Sequence, residues 1–281
     1  MGGKDLRGKD LHIRSGLGQT GRRKDSHMTE EKTISAIGKE LKAASEDMLP
    51  SFIEVYGKDA REGVKKLVAQ AEGRLRKLAA ERERIRALKK YETEYGMYAH
   101  ICGIDEAGRG PLAGPVVAGA VILPKDCEIL YINDSKKLSA AKREELYEVI
   151  MEKAVAAAVG IVGPKRIDEI NILQATYEAM REAISKLEVK PDILLNDAVT
   201  IPEVGIRQVP IVQGDAKSIS IGAASIVAKV TRDRLMIAYD KQMPEYGFAS
   251  HKGYGSAAHI AAIRKYGPSP IHRRSFIGNF L

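Results

Sequence analysis

The sequence predicts an α/β layer fold with a mixed central sheet flanked by helices, plus an N-terminal helical extension. Three observations carry that prediction. Apolar residues recur at helical spacing before residue 97; two apolar runs split by a Gly/Pro turn follow; then helical and strand patterns alternate. At 281 residues and 44% hydrophobic content, the chain can bury one sizeable core and a smaller appendage.

Residues 1–27 are rich in Gly, Arg and Ser and lack hydrophobic periodicity, so they read as a tag or disordered leader, with Met28 as the native start. Residues 28–96 read as a helical extension. Ile34, Ile37, Leu41, Ala44 and Met48 define a first helix that Pro50 closes. A second opens at Asp59, where Asp59 and Glu62 have capping-box spacing, and runs to about Tyr91. Its stripe is Val64, Leu67, Val68, Ala71, Leu75, Leu78, Ile85 and Leu88. The opposite, basic face (Arg74, Arg76, Lys77, Arg82, Arg84, Arg86, Lys89, Lys90) reads as solvated, with an accessory nucleic-acid contact as the sharper alternative.

Residues 97–281 form the second predicted domain. Tyr98–Ile104 and Val116–Leu123 resemble a hairpin pair. Helices are expected over Lys142–Ala154, Ile172–Leu187, Ser225–Tyr239 and Ala257–Tyr266, and strands over Val155–Val162, Ile193–Leu195 and Gln208–Val212.

Composition removes several classes. Two cysteines, Cys102 and Cys127, cannot form a disulfide framework and lack zinc-ligand spacing, so they read as packing residues in a reducing, cytoplasmic compartment. The longest uncharged stretch, Pro111–Pro124, is too short and too rich in Gly and Pro to span a bilayer. The net charge of +8 is unevenly spread: residues 1–27 hold seven basic and three acidic side chains, half the excess. Thr231–Leu281 holds eight basic against three acidic residues, including Arg232, Arg234, Lys252, Arg273 and Arg274, which suits a phosphate-facing surface.

The densest chemistry lies in Gly103-Ile104-Asp105-Glu106-Ala107-Gly108-Arg109-Gly110-Pro111. Charged groups closing a buried strand are costly unless compensated, and a hard divalent cation would compensate them. Neighbouring strand residues face opposite ways, so Asp105 and Glu106 share a site only if the chain turns at Glu106. Read alone, the segment is more often an ordinary polar turn capping a strand. Asp197 closes the apolar run Ile193-Leu194-Leu195-Asn196, and Asp215 precedes the apolar run Ile219–Val230, where an acid is also an ordinary helix cap. Four carboxylates meeting at one sheet edge would raise one another's pKa values, and paired hard cations are the known device for phosphodiester hydrolysis.

Five ordered motifs resemble those of the ribonuclease HII family, the type 2 ribonucleases H: Gly103–Val116, Asp134-Ser-Lys-Lys-Leu-Ser139, Gly214-Asp-Ala-Lys-Ser218, Ala223–Asp233 and His251-Lys-Gly-Tyr-Gly255. The resemblance covers about Met97 to Leu281 and implies a ribonuclease H-like fold. It implies that Asp105, Glu106, Asp197 and Asp215 hold two Mg²⁺ or Mn²⁺ ions, with Asp105 bridging them. It implies that the main chain of Gly108, Arg109 and Gly110 reads the ribose 2′-hydroxyl. Tyr254 would stack on the next sugar, and Ser135, Lys136 and Lys137 would meet phosphates. The activity implied is hydrolysis of the RNA strand of RNA/DNA hybrids, with incision 5′ of single ribonucleotides in duplex DNA that leaves 3′-hydroxyl and 5′-phosphate ends, as in ribonucleotide excision repair.

One position departs from the family pattern: Asn196, also an oxygen donor, precedes Asp197. Two alternatives remain open: a ribonuclease HIII-like enzyme preferring long hybrids, whose N-terminal platform is rich in strands, and a non-catalytic hybrid-binding module. Gly214–Ser218 lacks the P-loop pattern, and the histidines read as surface or capping residues, with His272-Arg273-Arg274 facing phosphate. The tail Ser275–Leu281 reads as docked, with a sliding-clamp contact through Phe276, Phe280 and Leu281 as the alternative. A monomer is expected.

Overall fold

The computed structural model describes residues 32–281. The expected leader and Met28 start lie outside them. Residues through Arg74 fall in one compact unit, and Leu75–Leu281 form a second.

In the first unit, α1 (Ile34–Ala43) opens where the Thr33 hydroxyl accepts from the Ala36 N–H. A 3₁₀ turn (Glu46–Met48) leads into α2 (Leu49–Tyr56), and Pro50 sits in the first turn of α2. Pro50 therefore begins a helix instead of closing one: its missing N–H is one that a first turn leaves unpaired in any case. Helix α3 (Glu62–Leu88) begins at Glu62, because Asp59 is taken by the backbone N–H and guanidinium of Arg61. The expected capping box does not form. Ile37, Leu41, Leu49, Phe52, Val64 and Ala71 are buried, and Arg74 donates to the carbonyls of Leu41 and Ala44 at the end of α1.

In the second unit, α3 stops at Leu88, and a separate turn of helix, α4 (Lys90–Glu94), follows. Much of the basic face is engaged by the protein itself. Arg84 bonds Glu81 and the Ile132 carbonyl, Arg82 lies 3.5 Å from Glu128, and Lys89 donates to the carbonyls of Lys125 and Cys127.

The sheet has five strands in the order β3-β2-β1-β4-β5: β1 (Ile101–Ala107), β2 (Val116–Ile122), β3 (Ala156–Val162), β4 (Ile193–Asp197) and β5 (Arg207–Ile211). The first three form an antiparallel meander, and β4 and β5 join parallel to β1. Strand β2 is buried along its whole length, which is why it reads as an unbroken apolar run without alternation. Helix α5 (Ala140–Lys153) follows β2, while α6 (Pro164–Ile170) and α7 (Ile172–Ser185) separate β3 from β4. The sequence reading missed α6, a short helix that packs only Ile167 fully.

Helix α8 (Ile219–Gln242) crosses one face of the sheet; α7 covers the other. A Cβ at Gly103 would stand 2.1 Å from the Ser220 carbonyl, and one at Gly119 2.4 Å from the Ala224 oxygen. Glycine at these positions lets α8 touch the strands backbone to backbone. Beyond α8, α9 (Phe248–His251), α10 (Ala257–Tyr266) and α11 (Arg274–Ile277) complete the unit. Among the described residues, no helix is long and apolar enough to cross a membrane.

Candidate active site

The parallel pairing of β1 with β4 matches Ile104 with Asn196, so Asp105 and Asp197 come level at the same end of the sheet. Strand β1 does not turn at Glu106: the pairs Glu106–Ala118 and Ala107–Val117 continue the ladder, and the bend comes at Gly108, at φ +94°. The expected turn is thus two residues late. Both acids nonetheless feel Asp197, because they lie at the strand's exit. From β5, Gln213 in the left-handed region carries the chain into the 3₁₀ turn Gly214–Ala216, which presents Asp215. The Gly214 N–H donates to Asp197 Oδ1 at 2.7 Å, fixing one acid against the loop of the other. Ser218, not Asp215, caps α8.

The electrostatics are those of crowded anions. Asp105 is 6% exposed; burial first, then the charges of Glu106 and Asp197, drive its pKa well above the usual carboxylate range. Burial also raises Glu106, against the pull of Arg109 3.4 Å away. Burial and the charges of Asp134 and Asp197 raise Asp215. Lys136 feels Asp105, Asp134, Asp215 and Asp197 together, which sets its ammonium among all of them.

Asp134 was not singled out from the sequence as a site residue. Its carboxyl lies against that of Asp215, and its Oδ1 accepts from the Lys136 N–H at 2.9 Å. In sequence it is one polar residue of the Asp134–Ser139 motif, and only the fold shows which acid it meets. Lys136 and Lys137 are exposed, whereas Ser135 is 4% exposed and its hydroxyl accepts from Ser225 at 2.9 Å. Asn196 is fully buried, with its amide donating to the Val199 carbonyl and to Gln208 Oε1.

Among the described residues, no three Asp, Glu, His or Cys side chains enclose a position for an ion as they stand. The donor set still suits a hard divalent cation: only oxygens, in excess negative charge, with Asp105, Glu106 and Asp215 held by burial above their usual pKa values.

The turn after β1 lies beside Tyr254: a Cβ on Gly110 would stand 4.0 Å from that ring, and Tyr254 is 47% exposed. Beneath them, His259 and His272 are buried, not surface residues as expected. His259 Nδ1 donates to the Tyr254 carbonyl at 2.8 Å, so its Nε2 accepts from His272 Nε2 at 2.9 Å; His272 Nδ1 in turn accepts from the Ser269 N–H. Arg232 and Arg273, expected on a basic surface, are fully buried, and of His272-Arg273-Arg274 only Arg274 is exposed.

Solved structures with this architecture set the class, a ribonuclease H-like nuclease. The ribonuclease H2 of Pyrococcus horikoshii OT3 matches with a TM-score of 0.53 at 30% identity, over 63% of this chain and 93% of that one. The ribonuclease HII solved in a PCNA complex from Archaeoglobus fulgidus matches with a TM-score of 0.54 at 29% identity, over 64% and 96%. The family profile of ribonuclease HII matches residues 102–279, and that of the ribonuclease HII N-terminal domain matches residues 33–96. Ribonuclease HII of Lachnoclostridium phytofermentans is 66% identical over 88% of this chain and 97% of its own length. That of Clostridioides difficile is 51% identical over 90% and 100%. The chain belongs to the ribonuclease HII family, and is a ribonuclease H endonuclease.

Proposed function

We propose that this chain hydrolyses the RNA strand of RNA/DNA hybrids and incises 5′ of single ribonucleotides embedded in duplex DNA, leaving 3′-hydroxyl and 5′-phosphate ends. The observation that carries the reading is the convergence of charge from β1, β4 and the Gly214–Ala216 turn on one sheet end, beside the Gly108–Gly110 turn. Asp105, Glu106, Asp197 and Asp215 would hold Mg²⁺ or Mn²⁺, with Asp134 steadying Asp215. Two such ions supply a nucleophile at neutral pH and stabilise the leaving oxygen. The chain's own groups do the rest. Lys136 and Lys137 meet phosphates, the main chain at Gly108, Arg109 and Gly110 contacts the ribose 2′-hydroxyl, and Tyr254 packs on the following sugar.

The helical N-terminal region, with no strand among its described residues, favours this reading over a ribonuclease HIII-like one. A hybrid-binding module would have no use for four crowded acids, two of them (Asp105 and Asp215) buried. For a sliding clamp, the tail offers only its last residues: Ile277 is buried and Phe276 packs into the core, while Leu281 is 71% exposed.

The test is Asp105→Asn on a duplex with one ribonucleotide, products mapped to the nucleotide. Cleavage should fall by about 10³-fold or more with folding and duplex binding kept, since losing a carboxylate that would hold the metal removes several kcal/mol of transition-state stabilisation. Wild-type turnover by that variant would overturn the assignment.

A further inference from the structure

Two guanidinium groups lie buried beneath the turn that follows β1, and among the described residues neither makes an ion pair. Arg273 donates to the carbonyls of Gly108 (2.5 Å), Arg109 (2.8 Å) and Gly114 (3.0 Å). Arg232 donates to those of Pro115 (2.9 Å), Ala113 (3.1 Å) and Lys252 (3.0 Å), and its guanidinium carbon sits 5.9 Å from the Tyr254 ring centre. Both arginines are 0% exposed. Burying an unpaired cation is expensive, and six carbonyl dipoles are what compensates it here. Burial and the charge of Arg232 lower the Arg273 pKa to about 9, which still leaves it protonated at neutral pH.

The consequence follows from the planarity of the peptide bond. In a trans peptide the C=O of one residue and the N–H of the next point in opposite directions. Arg273 draws the carbonyls of Gly108 and Arg109 inward, so the N–H groups of Arg109 and Gly110 point away from the guanidinium, in a turn that passes beside Tyr254. Among the described residues, no protein acceptor meets either amide. Gly108 has no room for a side chain, since a Cβ would stand 2.0 Å from Arg232 Nε. The turn is thus pressed onto the guanidinium pair, and its two free donors form a fixed oxygen-binding pair.

We propose that Arg273, supported by Arg232, is the positioning residue that aims the Arg109 and Gly110 amides at the substrate sugar and so sets the discrimination between ribose and deoxyribose. The inference rests on the reading that this turn contacts the 2′-hydroxyl. Lysine at position 273 keeps the charge but not the planar fork: its three donors share one nitrogen and do not span the three carbonyls that Nε, Nη1 and Nη2 of Arg273 reach.

The experiment compares wild-type protein with Arg273→Lys on two duplexes identical except for one ribonucleotide or its deoxy counterpart. KM and kcat are determined separately, with melting temperature and Mn²⁺ affinity as controls. Wild type should cut only the ribonucleotide-containing duplex; if it cuts both equally, the underlying reading of the turn fails. Arg273→Lys should keep its Mn²⁺ affinity and its binding of the all-DNA duplex while its ribose-to-deoxyribose ratio of kcat/KM drops by about tenfold or more. A folded Arg273→Lys with the full wild-type ratio would overturn the positioning role and leave the site reading intact. Should Arg273→Lys not fold, Arg232→Lys is read the same way: a reduced ratio supports the arrangement, an unchanged one overturns it.

Discussion

The buried imidazoles illustrate what single residues contribute. His272 is 2% exposed, and its pKa falls to about 4, first through burial and then through the neighbouring His259. Its ordinary value is near 6.5, so the unfolded chain takes up a proton that the folded chain refuses. The stability it contributes is complete above pH 6.5 and is lost as pH falls from there toward 4, on the order of 3 kcal/mol in all. A melting-temperature series over that range should fall steeply for wild type. His272→Asn, whose Oδ1 can still accept from the Ser269 N–H, should start lower and fall less. Parallel slopes for the two proteins would remove His272 from the acid limb. The carboxylates work in the opposite direction. With pKa values raised by burial, Asp105, Glu106 and Asp215 cost stability once ionised. In EDTA at pH 8, Asp105→Asn should therefore melt higher than wild type, as scanning fluorimetry can check.

At the scale of elements, α8 is the member on which the others are set. Its N-terminal half, from Ile219 to Ala228, is buried on all sides, and the sheet meets it through glycine instead of side chains. Gly119→Ala would drive a methyl group to 2.4 Å from the Ala224 oxygen, where neither backbone can yield without shifting the helix. The expected loss is about 2–4 kcal/mol, read from urea unfolding, because overpacking against backbone has no rotamer to relieve it. A shifted α8 would also move Ser225, which contacts both Asp105 and Ser135. This element was half legible in the sequence: the apolar run was visible, but its all-round burial erased the stripe that marks a helix boundary. The strands were legible where turn residues bounded them. The acids were legible because charge at the end of an apolar run is anomalous. Asp134, Arg232, Arg273 and the histidine pair were not, because a polar residue in a polar stretch looks the same whether it faces water or a buried carbonyl.

At the scale of the whole molecule, segments far apart in sequence fasten the loops that carry the site. Glu81 accepts from the Tyr131 N–H and Arg84 donates to the Ile132 carbonyl, just ahead of Asp134. Glu92 accepts from the Ser218 hydroxyl at 2.5 Å and from the Ser220 N–H at 3.0 Å, and so acts as a second cap on α8, close after Asp215. Glu92→Ala should cost about 1–2 kcal/mol of stability through the lost cap. It should also weaken Mn²⁺ binding measured by calorimetry, since the Gly214–Ala216 turn loses its anchor. Wild-type stability and affinity together would show the contact to be idle.

The strand order β3-β2-β1-β4-β5 bears on fidelity as well as on shape. Asp105 and Glu106 belong to the meander, while Asp197 and Asp215 arrive with the two strands added beside it. A fluctuation that peels β4 and β5 from the sheet removes half the acids in one event, while the Gly108–Gly110 turn, proposed to contact the sugar, stays with the meander. On the proposed function, such breathing would switch cutting off outright instead of leaving a scissor that cuts carelessly, the safer way to fail for an enzyme that has DNA within reach.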